Sequence, residues 1–119
     1  MFKFESLEIW IAAKNYTGRV YFVTKSFPRE ETFSLTDQLR RASNSIPANI
    51  AEGSGSFTKK DYCHYLDIAT KSLYETVSHL YIAKDQNYLT EEMRKELYIE
   101  AEILVKKIQN FKLWVGKNY

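Results

Sequence analysis

Cys63, His64 and His79 are the only cysteine and the only histidines of this chain, and they fall close together. A di-iron site in a helical bundle needs Glu-x-x-His on two helices and a glutamate from each of the other two. The residues three before the histidines are Asp61 and Thr76, so that pattern is missing. Glu75 and His79 stand one helical turn apart and suit a surface pair better than half of a metal site. Adjacent helical residues point about 100° apart, so Cys63 and His64 make no dyad. Gly53-Ser54-Gly55-Ser56 lacks the Gly-Lys-Ser/Thr that completes a phosphate loop and reads as a helix-ending linker. No Ser/His/Asp set assembles. The expectation is a protein with no catalytic residues, no metal and no cofactor, and not an enzyme.

Basic clusters are the functional signal that remains. Arg40 and Arg41 are adjacent, as are Lys59 and Lys60. Lys106, Lys107, Lys112 and Lys117 interleave with Phe111, Trp114 and Tyr119 near the end of the chain. Lysine mixed with aromatic rings suits phosphates and stacked bases. The plainer reading of each cluster is a solvated face or a helix end that complements its dipole.

Four helices must position these groups. Ile9, Ala13, Tyr16, Val20, Val23 and Phe27 step by 4 and 3, predicting a helix over about Ser6–Ser26 with Ser6 as its cap and Pro28 as its stop. Leu35, Leu39, Ala42, Ile46 and Ile50 mark a second helix, capped by Ser34 or Thr36 and ended at Gly53-Ser54-Gly55, with Gly53 in the left-handed C-cap position. The third starts after Thr58 and reaches about Asn87, burying Tyr62, Leu66, Ala69, Leu73, Val77 and Leu80. Tyr74, Tyr81 and Tyr88 form a second stripe beside that seam, read either as core filler or as a subunit interface. The fourth starts after Thr90 and runs to about Val115 along Met93, Leu97, Ala101, Leu104, Ile108 and Phe111. Short connections make neighbours antiparallel, so the fold class is all-α: one up-down-up-down four-helix bundle spanning residues 1–119.

The second helix carries Pro47 in its interior, at a cost of roughly 3 kcal/mol. Pro47 is expected to free the Ser43 carbonyl and bend the helix. Asn49 could tie down backbone groups freed by the break. Arg41 and Glu52 are nearly three turns apart and cannot meet, so each needs a partner elsewhere: Glu30 or Glu31, another helix, or a neighbouring subunit. Pro47, Asn49, Glu52 and Gly53 read first as a structural device and second as a ligand site.

The bulk numbers bound the rest. A length of 119 residues suits one domain with its own core. Seventeen basic residues against 15 acidic ones do not by themselves announce a nucleic-acid binder. A single cysteine fits a reducing compartment. Glu5 and Glu8 interrupt what would be a signal peptide, and no run approaches the ~18 apolar residues of a membrane span. A cytoplasmic protein away from membranes is expected.

Phe27-Pro28, Gln38-Leu39-Arg40-Arg41-Ala42, the run Ser45-Ile46-Pro47-Ala48-Asn49-Ile50-Ala51-Glu52-Gly53 and the helix bearing Tyr62, Leu66 and Ala69 resemble the bacterial four-helix-bundle proteins encoded in intervening sequences of the large-subunit (23S) ribosomal RNA gene. Leu7 and Trp10 resemble that family's opening helix. The resemblance implies a bundle that assembles as a ring, typically a pentamer, with no established catalytic activity. It also implies kinship with the accessory protein of diversity-generating retroelements, a ring that binds a reverse transcriptase and nucleic acid. Relatives commonly carry a basic residue soon after the glycine, where this chain has serine and delays its lysines to Lys59 and Lys60.

Residues and resemblance together give a non-enzymatic, ring-forming homo-oligomer that offers Arg40, Arg41, Lys59 and Lys60 to RNA or to an RNA-associated protein. Its rivals are a protein-binding scaffold that uses the aromatic C-terminus and a metal protein or enzyme built in the bundle core.

Overall fold

Apolar residues spaced by 4 and 3 fold as four helices: α1 (Glu8–Thr24), α2 (Leu35–Ser54), α3 (Lys59–Asp85) and α4 (Glu91–Asn118). The computed structural model describes all of residues 1–119. Each helix packs on its chain neighbour, and α1 closes the square against α4. The result is an up-down-up-down four-helix bundle of 45 × 23 × 21 Å, its long axis set by the 28 residues of α4. No helix is long and apolar enough to cross a membrane.

Every residue of the expected seams is buried or partly buried. Val23, Val77, Met93 and Phe111 lie at the core's edge rather than inside it. Thr17, Thr24, Thr76 and Arg94 are buried in their vicinity. The Thr24 and Thr76 hydroxyls each donate to the carbonyl one turn back, which is how a polar side chain tolerates a dry helix face.

Three helix ends differ from expectation. Lys3–Ser6 form a 3-10 turn in which the Ser6 hydroxyl bonds the Lys3 carbonyl, so Leu7, not Ser6, precedes α1. Ser34 precedes α2, but its hydroxyl caps nothing; the Glu31 carboxylate accepts the Leu35 N–H instead, at 3.1 Å. Gly53 is not a left-handed C-cap. It lies inside α2, and no glycine in the chain has positive φ. Its missing side chain serves packing, since a Cβ there would stand 2.9 Å from Tyr65 Cβ and 3.2 Å from a Tyr62 ring carbon. The other two caps behave as read: Thr58 accepts the Asp61 N–H and Thr90 the Met93 N–H, each at 3.1 Å.

Pro47 sits within an unbroken α2. It leaves the Ser43 carbonyl without its usual N–H, in a residue with no exposed surface. Thr17 of α1 reaches across and donates to that carbonyl at 2.8 Å. Asn49 does not serve the freed group. Its amide bonds Ser45 O (2.7 Å) and Ser45 Oγ (2.9 Å), and Ser45 Oγ shares a 2.8 Å hydrogen bond with Ser72 Oγ on α3. The proline is therefore held by α1 and its neighbourhood tied to α3.

Candidate functional site

Antiparallel neighbours bring the start of the chain, the end of α2, the start of α3 and the end of α4 to one end of the bundle. Two clusters that are distant in sequence meet there. Tyr119 donates its hydroxyl to the Ser56 carbonyl in the α2–α3 connection. Its ring meets Tyr62 edge-on at 5.1 Å, and Tyr62 meets Phe111 at 5.8 Å. Phe111 stacks on Trp114 at 5.5 Å. Burial pushes the Tyr62 phenol up to about 12, with Tyr119 adding to the rise, so the phenol stays neutral near pH 7.

Charge at this end is mixed, with lysines that have no ion-pair partner. Lys3, Lys59, Lys60 and Lys117 are exposed, and none enters an ion pair. Several carboxylates nearby are engaged. Glu5 accepts the Phe2 N–H at 2.7 Å, and Asp67 holds Lys112 at 2.8 Å. Glu52 faces the Tyr65 hydroxyl and raises its pKa. Asp61, in the first turn of α3, is the exposed acid beside the lysine pair.

Between the chain's first residues and the end of α2 runs a groove of about 570 Å³, whose walls include Phe2, Lys3, Phe4, Ala51, Gly55 and Phe57. Phe57 is 99% exposed and Phe2 is 76% exposed. Phe57 immediately precedes the α3 cap, where an apolar residue commonly folds down onto the fourth helical position, here Tyr62. Tyr119 and Phe111 already cover Tyr62, so Phe57 points away. Sequence reasoning missed Phe2, Lys3 and Phe57; the available signal was a staple position whose target has another occupant.

The arginine pair belongs elsewhere. Arg41 and the end of α2 are about 20 Å apart along the helix, so the four basic residues singled out from sequence form two regions. Arg40 donates through Nε to Thr24 Oγ1 at 2.9 Å and lies over the Tyr21 ring at 4.7 Å, pinned to the negative end of α1. Arg41 is exposed and pairs with Asp37, one turn away on its own helix, at 2.8 Å. The partner expected off the helix is thus on it.

The tyrosine stripe is also divided. Tyr74 and Tyr81 are exposed on α3. Tyr88 lies beyond the helix, because Asn87 adopts φ 63° and the Tyr88 N–H returns to the Ala83 carbonyl in a Schellman stop. Its hydroxyl donates to Glu31 at 2.9 Å and its ring packs on Phe27, so Tyr88 links two loops of its own chain. Tyr81 receives the Arg94 guanidinium at 4.4 Å. His79 contacts Glu75 at 3.2 Å, and no three His, Cys, Asp or Glu side chains converge as a metal site.

The sequence profile of the 23S rRNA-intervening sequence proteins matches residues 5–110. The chain belongs to that family. A crystal structure of a protein of unknown function from the S23 ribosomal protein family of Bacteroides thetaiotaomicron superposes with a TM-score of 0.77 at 21% identity, covering 87% of this chain and 97% of that one. At that identity the likeness speaks for the fold. No curated protein matches the chain. The family match stops before Phe111, Trp114, Lys117 and Tyr119, and it begins after Phe2 and Lys3. Much of the lysine and aromatic end therefore lies outside the matched span.

Proposed function

We propose that this family member is a non-enzymatic, ring-forming cytoplasmic protein that binds RNA, or a protein carrying RNA, through the lysine-rich end of the bundle. The observation that carries the reading is that end itself: four lysines outside any ion pair beside exposed aromatic rings. Assembly would repeat this weak patch around an axis and multiply its avidity. Kinship with the retroelement accessory protein belongs to the same proposal.

The test is RNA affinity against salt. Lys59→Glu with Lys60→Glu should weaken binding and lower the slope of log K on log[salt] by about 1 for each phosphate no longer neutralised. A wild-type protein that ignores RNA even at low salt ends this reading. Ring formation draws support from Tyr74 and Tyr81, large apolar side chains left exposed on α3. Tyr81→Lys should lower the mass seen by light scattering; an unchanged mass puts the seam elsewhere. The same exposed tyrosines favour a second reading, a scaffold that binds protein alone, which co-purification of a partner after nuclease treatment would support.

A further inference from the structure

We infer that the groove between the chain's start and the end of α2 takes unpaired bases of single-stranded RNA, with Phe2 and Phe57 as stacking surfaces and Lys3, Lys59 and Lys60 on the phosphates. The inference rests on the RNA reading above and adds which form of RNA is bound, and where. The groove is an open one, lined by Phe2, Lys3, Phe4 and Phe57 with the end of α2. Its two exposed rings stand on anchored backbone. Phe2 packs edge-on against Phe4 at 5.9 Å, Phe4 does the same against Trp10 at 4.8 Å, and the Phe2 N–H is held by Glu5. Phe57 sits between Ser56, whose carbonyl Tyr119 holds, and Thr58, the α3 cap.

Two exposed aromatic rings on fixed supports are available for stacking, and every base has a π-face. Charge selects a polyanion. Lys3 lines the groove and Lys59 and Lys60 follow Phe57 in the chain, none of them ion-paired, and they outnumber the charged Glu5 and Asp61. A duplex keeps its bases stacked inside and offers mainly backbone, whereas a single strand can splay a base into a recess. A flat lipid surface cannot enter the groove, so anionic membrane is the weaker occupant.

Fluorescence anisotropy with a labelled 12-nucleotide single strand and its blunt duplex, at matched salt, decides the matter. The single strand should bind tighter than the duplex. Phe57→Ser and Phe2→Ser should each cost on the order of tenfold for the single strand, while the salt slope stays as in the wild type. Phe57 is 99% exposed, so its substitution leaves the fold intact. Equal binding of both RNAs, with Phe57→Ser silent, overturns the inference and leaves the RNA reading standing, since lysine contacts alone then account for binding. No binding of either RNA defeats both. Loss of binding to phosphatidylserine vesicles in Phe57→Ser, with no effect on RNA, assigns the rings to membrane and also overturns the inference.

Discussion

Replacing Thr17 by valine tests how α2 tolerates its proline. Valine keeps the shape and removes the hydroxyl that donates to the Ser43 carbonyl at 2.8 Å. That carbonyl belongs to a residue with no exposed surface, and Pro47 supplies no N–H to it. Leaving a buried acceptor unpaired costs about 1–3 kcal/mol. The methyl gained returns at most about 0.8 kcal/mol. Thr17→Val should therefore destabilise by about 1–2 kcal/mol. In a Pro47→Ala background the carbonyl regains its own helical N–H, and the same substitution should cost less than about 0.5 kcal/mol. Pro47→Ala alone should stabilise, because an interior proline costs about 3 kcal/mol, reduced by the freedom returned to the unfolded chain. The assay is urea unfolding followed by far-ultraviolet circular dichroism. Protomer concentration must be fixed, since subunit association would add concentration-dependent stability. Distant sites add within about 0.3–0.5 kcal/mol. If Thr17→Val costs the same in both backgrounds within that margin, the cross-helix bond is not what accommodates the proline.

Gly53→Ala should destabilise by about 1–2 kcal/mol despite alanine's better helix propensity, because its Cβ would lie 2.9 Å from Tyr65 Cβ and such overpacking outweighs a gain of about 1 kcal/mol. Gly18→Ala, with nothing within 4 Å, should instead stabilise by about 0.5–1 kcal/mol; opposite signs in thermal melts confirm the pair. Glu31 is held below its ordinary pKa of 4.5, first by the Leu35 N–H and then by the Tyr88 hydroxyl. A depressed carboxylate stabilises above its unfolded pKa and loses that contribution as pH falls through the folded one. Wild-type unfolding midpoints should thus drop more steeply than those of Glu31→Gln below about pH 5, and parallel curves would refute the link. Tyr88→Phe should remove part of that difference, because Tyr88 is one of the donors on Glu31.

Helix positions and the inward faces were legible because they rest on local periodicity. The seam from Leu35 to Ile50 is buried throughout, and Thr58 and Thr90 cap as their positions imply. Misreadings occurred where a distant residue decides a local outcome. Ser34 is a good cap by type, yet Glu31 takes the N–H because its carboxylate folds back over the helix start. Gly53 has the composition of a stop, yet α3 passes too close for any side chain. Tyr88 keeps the seven-residue spacing of Tyr74 and Tyr81, but Asn87 turns the backbone before it arrives. Spacing cannot report that turn, and Asn87 was the local cue.

The candidate site was half legible for the same reason. Lys59-Lys60 and the lysine and aromatic C-terminus are visible as separate runs. Their meeting depends on topology, and the decisive contact joins Tyr119 to Ser56, 63 residues apart. Arg40 illustrates the converse. Its type and its position beside Arg41 suggest a free cation, but the end of α1 offers carbonyls, the Thr24 hydroxyl and the Tyr21 ring within its reach. A guanidinium so placed gains more from its own chain than from a mobile phosphate, because its desolvation and ordering are already compensated on folding. Lys59, Lys60 and Lys117 have no such partners, and a polyanion would be the first strong one each meets. On the proposed reading, this difference in prior engagement, more than the number of charges, is what would direct RNA to the Lys59 end of the bundle.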